Sequence, residues 1–249
     1  MFKRNLLGVA LAAVLSAGSL YAQATEVNSS TVRAFGASST TTDQLYSSVD
    51  IRTNKTLLAS ASNSLIFLTD NVGSVLDQVW QDNTTGKLSF LTRIVMTQAG
   101  YEVNDIVRSG FTGFTTDIQW FRETGSNLAT QGFRLKSAGR TSSIGTTADV
   151  YDANHVNLRS DISVEEGKPT SGWYVINTDA TSFTTLTGTT ASNYGMFLRS
   201  TGEDVGAPAS LYISAFAPTT VAAVPETDTY AMLLAGLGLM SVVARRKSI

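Results

Sequence analysis

Residues 75–81 read VLDQVWQ, residues 82–87 read DNTTGK and residues 88–97 read LSFLTRIVMT. The outer two stretches are rich in β-branched and aromatic residues, and the middle stretch consists of residues that favour turns. This order predicts a β-hairpin. Apolar residues occupy both alternating faces of the second strand, so we expect it to be covered on both sides. One face carries Leu88, Phe90, Ile94 and Met96, and the other carries Leu91 and Val95.

The remaining body repeats this pattern of short apolar runs separated by Gly, Asn and Asp, with abundant Ser and Thr. Such spacing is typical of many short strands. Further strands are predicted at 64–69, 117–122, 132–136, 161–164, 172–177, 194–199 and 211–216. Residues 172–177 place large side chains on both faces, which indicates a buried central strand. We therefore predict an all-β fold, a single antiparallel β-sandwich with a jelly-roll or immunoglobulin-like outline.

The N-terminal 24 residues have the features of a secretory signal peptide. Lys3 and Arg4 precede an apolar stretch at 6–20, and Ala22-Gln23-Ala24 supplies the small-x-small pattern that signal peptidase cleaves. We expect cleavage after Ala24. The β-sandwich body then occupies residues 25–216, of which 25–42 are rich in Ser, Thr and Ala and are predicted to form a loose arm.

The C-terminal end carries a second membrane-directed pattern. Residues 217–223 are predicted to be a linker, and 224–249 begin with Val224-Pro225-Glu226. Residues 230–244 contain no charge and predict a short membrane helix. The cluster Arg245-Arg246-Lys247 should stay on the cytoplasmic side by the positive-inside rule. The alternative interpretations of this tail are a plain C-terminal anchor and a buried apolar helix of the domain.

The tail resembles a PEP-CTERM sorting signal in the order of its Pro-Glu pair, apolar helix and basic terminus; Thr227 stands where that family has a second proline. The resemblance covers residues 224–249 only. It implies recognition and cleavage near Pro225-Glu226 by an exosortase, in a Gram-negative bacterium that makes exopolysaccharide. It also implies an inner-membrane intermediate and delivery to the cell surface or extracellular matrix, with signal peptidase and exosortase as processing partners.

Composition restricts what the body can bind. Without the two ends, the body has 13 basic and 18 acidic residues. This mildly acidic balance argues against nucleic acid and against electrostatic docking on anionic lipid. The absence of cysteine excludes thiol catalysis, cysteine-ligated zinc and iron–sulfur chemistry. No cofactor is expected.

No catalytic constellation is visible in the sequence. His155 is the only histidine, and a Ser–His–Asp triad would need it with Asp152 or Asp161. No Gly-x-Ser-x-Gly motif nominates a serine, so we interpret His155 as a surface-loop residue. Glu165 and Glu166 are adjacent and would point to opposite faces of a strand, so they cannot form a glycosidase pair with each other.

Two weaker candidate sites remain. Asp149, Asp152 and Asn154 offer hard oxygen ligands for calcium, although their spacing departs from the usual loop motif and turn formation is the commoner role. Trp80, Trp120 and Trp173 could stack on sugar rings if exposed, but their strand-like contexts favour the core.

Three functions are compatible with these features. The leading hypothesis is a non-enzymatic exported surface or extracellular-matrix protein. The second is a carbohydrate-binding module whose partner is extracellular polysaccharide, and the third is a glycan hydrolase with dispersed acids. Exposed tryptophans would favour the second hypothesis, and an acid-lined cleft would favour the third.

Overall fold

The computed structural model describes residues 25–26, 46–47, 49–122, 134–135, 154–201 and 208–220. Every regular element in these ranges is a β-strand, so the prediction of an all-β fold is confirmed. The strands are β1 (Thr25–Glu26), β2 (Tyr46–Ser47), β3 (Lys55–Phe67), β4 (Asp70–Asp82), β5 (Leu88–Met96), β6 (Glu102–Arg108), β7 (Thr116–Phe121), β8 (Arg134–Leu135), β9 (Val156–Ser163), β10 (Trp173–Thr178), β11 (Ser182–Leu186), β12 (Thr189–Thr190), β13 (Asn193–Tyr194), β14 (Met196–Thr201), β15 (Ala209–Ile213) and β16 (Ala215–Thr219).

Two main sheets make up the described fold. The seven-stranded sheet has the order β1-β7-β10-β5-β4-β3, with β2 also paired to β7. The five-stranded sheet has the order β15-β14-β6-β9-β8. All pairings in both sheets are antiparallel except the short β2–β7 contact, which is parallel. Two small two-stranded sheets, β11-β16 and β12-β13, complete the arrangement.

The main hydrophobic core contains residues from both large sheets, as expected when two sheets pack face to face in a sandwich. The alternation predicted for β5 holds, because Phe90 and Ile94 point into this core while Leu91 belongs to a cluster on the other face. Core residues of the seven-stranded sheet include Val75, Val79, Phe90, Ile94, Ile118, Tyr174 and Ile176. Those of the five-stranded sheet include Val103, Ile106, Val156, Leu158, Ile162, Met196 and Leu198.

The outer face of the seven-stranded sheet is buried as well. Leu91, Phe121, Trp173 and Val175 form a second cluster there, and Ile51, Leu76 and Trp80 pack against it. The Arg52 guanidinium lies over three of these rings, at 5.2 Å from Phe121, 5.7 Å from Trp173 and 5.8 Å from Trp80. β10 therefore is the central, doubly covered strand that its sequence predicted.

The predicted hairpin is present as β4 and β5. Asp82 accepts hydrogen bonds on Oδ1 from the backbone N–H groups of Thr84 and Thr85, at 3.0 and 2.7 Å. Gly86 has φ 71°, a left-handed conformation that glycine adopts without a steric penalty. The turn residues singled out in the sequence thus form the turn through their own backbone and side-chain bonds.

β3 differs most from its prediction. A strand was expected only at 64–69, but β3 runs from Lys55 and ends at Phe67. Residues 56–64, TLLASASNS, include many small side chains, which obscure the alternation of apolar and polar residues. The turn to β4 contains Leu68 at φ 56°, a left-handed conformation that is unusual for leucine. Because leucine rather than glycine or asparagine occupies this position, the sequence gives no sign of the turn.

Other boundaries also shift. β6 and β11 were not predicted, and the stretch predicted at 211–216 is divided between β15 and β16. Residues 217–219, expected in the linker, belong to β16, because they pair with β11 and the Ala217 side chain is buried. Within the predicted loose arm, Thr25 and Glu26 pair with β7. The signal peptide, residues 221–223 of the linker and the whole tail lie outside the described residues.

An ion pair crosses the interior between the two main sheets. Arg108 of β6 and Asp77 of β4 have no side-chain exposure, and Nη1 lies 2.7 Å from Oδ1. Arg108 also donates to the Thr92 hydroxyl and, at 2.5 Å, to the Phe216 carbonyl. The Phe216 N–H in turn donates to Asp77 Oδ2 at 2.8 Å. The pair thereby links β4, β5, β6 and β16 in the buried core.

Candidate functional site

A polar cleft lies at one end of the outer face of the seven-stranded sheet. Its volume is about 430 Å³. The β-ladder places Ser89 of β5 and Asp117 of β7 on either side of Asn177 of β10, so three polar side chains form one row across three strands. Lys55, at the start of β3, reaches over this row, and Asp82, Lys87 and Asp179 line the rim.

The row is joined by a continuous chain of hydrogen bonds. The Lys55 ammonium donates to Ser89 Oγ at 2.6 Å, and the Ser89 hydroxyl donates to Asn177 Oδ1 at 2.7 Å. Asn177 Nδ2 then donates to Asp117 Oδ1 at 2.7 Å. The chain runs from a cation to an anion with every donor pointing the same way, so each bond polarises the next. This arrangement holds all four side chains in fixed orientations.

Burial and nearby charges act in opposite directions on Lys55. Burial lowers the pKa of its ammonium below the usual value, while the carboxylates of Asp82 and Asp117 oppose that shift. At the rim, hydrogen bonds from Thr85 and Thr84 hold the pKa of Asp82 below its usual value. With two lysines and three aspartates, the cleft carries a slight negative balance.

The lysine–serine contact does not have the arrangement of a nucleophilic pair. A serine nucleophile must give its proton to the base, but the Ser89 hydroxyl donates to Asn177 and only accepts from Lys55. Ser89 is also just 2% exposed, at the floor of the cleft. The geometry is suited to presenting amide, carboxylate and ammonium groups to a polar ligand rather than to attacking one.

The calcium candidates are only partly described. Asp149 and Asp152 lie outside the described residues. Asn154 uses its Oδ1 to accept hydrogen bonds from the Gly110 N–H at 3.1 Å and the Thr112 hydroxyl at 2.9 Å. Its side chain thus organises the loop after β6. No cluster of three histidine or acidic side chains suited to a metal ion occurs within the described ranges.

His155 lies directly before β9, half-buried, with its ring stacked on Tyr194 at 5.8 Å between centroids. Its proposed partner Asp161 belongs to a separate cluster, where Lys168 Nζ lies 2.6 Å from Asp161 Oδ2 and 2.6 Å from Glu166 Oε2. Glu165 and Glu166 lie in the turn that follows β9 rather than on a strand.

That acidic cluster also contains Glu102, whose carboxyl group is hydrogen-bonded to Asp161. Burial, followed by a hydrogen bond with Asp161, raises the pKa of Glu102 to about 7. The same hydrogen bond, together with Lys168, keeps the pKa of Asp161 below its usual value. The two carboxyl groups are in direct contact, whereas a glycosidase pair is separated by roughly 5 to 10 Å to accommodate the sugar.

The three tryptophans differ in burial. Trp120 and Trp173 are each 3% exposed, which agrees with their predicted place in the core. Trp80 is half-buried, and its Nε1 donates to Gln78 at 2.9 Å. Trp80 lies opposite Ser89 in the β4–β5 ladder, so the most accessible of the three rings neighbours the cleft.

The predicted processing residues all lie outside the described ranges: Ala22, Ala24, Val224, Pro225, Glu226, Arg245, Arg246 and Lys247. The predicted membrane helix at 230–244 lies outside them too. Within the ranges that are described, no helix has the length and apolar character needed to cross a membrane.

Sequence reasoning missed the four residues of the hydrogen-bonded row. Ser89, Asp117 and Asn177 each fall at the end of a predicted strand, where a polar residue is unremarkable. The signal that unites them is their shared register, and register depends on which strands are neighbours. Ser89 and Asn177 are separated by 88 positions in the chain.

Comparisons with known proteins identify no relative. No family model matches the chain, and neither a curated protein nor a solved structure is significantly similar to it.

Proposed function

We propose that this chain is an exported, non-enzymatic protein of the cell surface or extracellular matrix, cleaved by an exosortase in an exopolysaccharide-producing Gram-negative bacterium. One observation carries the proposal: a signal-peptide pattern at 1–24 is combined with the ordered tail at 224–249. A cysteine-free body is unusual among small secreted domains, but its two large sheets bury a core that can be stable outside the cell without disulfides.

Intact mass spectrometry of the extracellular form tests this proposal. The mature chain should begin at Thr25 and end near Pro225-Glu226. Replacing Arg245, Arg246 and Lys247 together by glutamine should leave unprocessed precursor in the membrane fraction, because the basic terminus is part of the sorting signal. Replacing Lys87, which lies in the β4–β5 turn, by glutamine is the control. An unchanged mature mass in the triple variant would refute exosortase sorting.

We also infer that the sandwich has a jelly-roll rather than an immunoglobulin-like outline. β5 pairs with β10 in one sheet, and the next strands inward, β6 and β9, pair in the other sheet. Nested pairs that alternate between two sheets are the organising feature of a jelly roll. The chain must therefore cross between the sheets from β5 to β6 and return from β9 to β10.

A second candidate function, saccharide binding, is favoured by the cleft. Sugars present adjacent hydroxyl groups that donate and accept hydrogen bonds, and fixed amide, carboxylate and ammonium groups match them. The row of Lys55, Ser89, Asn177 and Asp117 supplies these groups in one line, and Trp80 lies one strand away. The slight negative balance of the cleft favours a neutral or amino sugar over an acidic one.

Glycan-array binding followed by titration calorimetry tests this second candidate. Lys55→Met removes the ammonium but keeps the chain length, and should weaken binding about tenfold or more through lost charge-assisted hydrogen bonds. Lys168→Met, in the acidic cluster of the other sheet, is the matched control and should bind like the unmodified protein. Equal affinity of the two variants, or no glycan bound by the unmodified protein, would reject the cleft as a saccharide site.

A further inference from the structure

β3 is the edge strand of the seven-stranded sheet, and its Asn63 side chain donates to the Ser214 carbonyl at 3.4 Å. β3 pairs along its length with β4, and within the described residues no strand pairs with its other side. Alternate residues of a strand direct their N–H and C=O groups to the same side, so roughly half of its residues present unpaired backbone groups there. Such an edge is a template for another strand.

β3 carries few of the features that prevent pairing at a sheet edge, and the irregularities in its ladder with β4 lie near its two ends. Residues 56–69 contain no charged residue and no proline, whereas protected edges commonly carry lysine or proline. Exposed apolar side chains also concentrate here. Five large hydrophobic residues are exposed in the described ranges, and four of them lie on β3 or directly after it: Leu57, Leu58, Ile66 and Leu68.

The strand is complementary to itself in the antiparallel direction. Irregularities in the ladder with β4 occur between Leu57 and Ala59 and between Leu65 and Ile66, so the regular segment runs from 59 to 65. Ser62 is the middle of that segment. A two-fold axis at Ser62 would place Ser60 opposite Ser64 of the second copy, with Leu58, 42% exposed, and Ile66, 47% exposed, just beyond the two ends of the regular segment.

We propose that β3 pairs with β3 of a second copy of this chain, antiparallel and centred on Ser62, to join two seven-stranded sheets into one continuous sheet. The side chains fit this partner: exposed serines meet serines in the middle, exposed apolar side chains flank both ends, and no charges oppose each other. The contact is isologous, so it closes as a dimer. This inference is independent of the processing of the tail.

Directed cross-linking tests the pairing. The chain contains no cysteine, so Ser62→Cys creates a single thiol that lies opposite its own copy at the two-fold axis. Ser62 would form a hydrogen-bonded antiparallel pair with its copy, and the roughly 5.5 Å between Cα atoms in such a pair lies within the range of a disulfide. With oxidised glutathione, Ser62→Cys should form a disulfide dimer much faster than Thr184→Cys, an exposed position on β11. Equal rates for the two variants would overturn the proposal.

A charge-swap experiment provides an independent measurement. Ser62→Lys and Ser62→Glu each place like charges directly opposite one another, so each variant should sediment as a monomer at concentrations where the unmodified protein is dimeric. An equimolar mixture of the two should restore a dimer, which a merely misfolded variant would not do. Thr184→Lys and Thr184→Glu should remain dimeric. A monomeric unmodified protein, or a Ser62→Lys variant that stays dimeric, would refute the pairing.

Discussion

Replacing Arg108 by methionine removes the cation of the buried ion pair and keeps a long, unbranched side chain in its place. The guanidinium has no exposure and donates to Asp77, Thr92 and the Phe216 carbonyl. Its loss leaves the Asp77 carboxylate in the buried core with the Phe216 N–H as a remaining donor. The variant therefore measures mainly the cost of a buried charge that has lost its counter-ion.

The expected cost is about 4 kcal/mol of unfolding free energy. Breaking a buried ion pair by removing one partner typically costs about 3–5 kcal/mol, and the orphaned Phe216 carbonyl contributes within that range. Set against a total stability of about 5–15 kcal/mol, this is a large fraction. The double variant Asp77→Leu, Arg108→Met should cost less than either single variant, because it buries no charge.

Urea unfolding of the purified mature protein, followed by tryptophan fluorescence, measures these differences. Trp120 and Trp173 are each 3% exposed, so their emission should report loss of the core. A double-mutant cycle then gives the coupling between Asp77 and Arg108. The slope with urea should stay constant across the four proteins if only the stability of the folded state changes.

The dependence on pH provides a second check. Burial already raises the pKa of Asp77 in the intact pair, and loss of the neighbouring cation raises it further. A raised pKa in the folded state stabilises at low pH and is a penalty as pH rises, so the deficit of Arg108→Met should shrink from pH 8 to pH 5. A single variant that costs under about 1 kcal/mol, or a double variant as unstable as the sum of the singles, would refute the reasoning.

Three further predictions concern other parts of the fold. Gly73→Ala should lower the free energy of unfolding by about 2–3 kcal/mol, because an added Cβ would lie 2.1 Å from the Val95 carbonyl oxygen. Gly113 also has a positive φ but lies in open space, so Gly113→Ala should cost less in the same urea assay. Trp173→Ala should cost about 3–5 kcal/mol and Trp80→Ala clearly less in thermal unfolding, since only the first ring is fully buried; equal costs would contradict this ranking. The pKa of Glu102 is raised to about 7, so this carboxyl group stabilises the folded state at low pH and loses that contribution as pH rises through 7. Glu102→Gln should therefore make the urea midpoint less dependent on pH between pH 5 and 8. The effect should be on the order of 1 kcal/mol given the partial exposure of the group, and Glu165→Gln, an exposed neighbour, should leave the profile unchanged.

Local pattern was sufficient for several elements. The β4–β5 hairpin could be predicted because its turn residues form the turn through bonds within six positions of the chain. The double coverage of β5 and β10 could be predicted because apolar side chains on both faces have few alternatives to burial. β3 was largely missed, since its serines and alanines give a weak apolar signal.

The amino-acid sequence alone established an all-β body, its main hairpin and its doubly covered strands, because side-chain alternation and turn chemistry are local properties of a chain. The row of Lys55, Ser89, Asn177 and Asp117 became visible only in the tertiary structure, as did the pairing of Asp77 with Arg108. Both depend on the order and register of strands that are distant in the chain. Many registers satisfy the same alternation, and the packing of two sheets around a common core selects one of them.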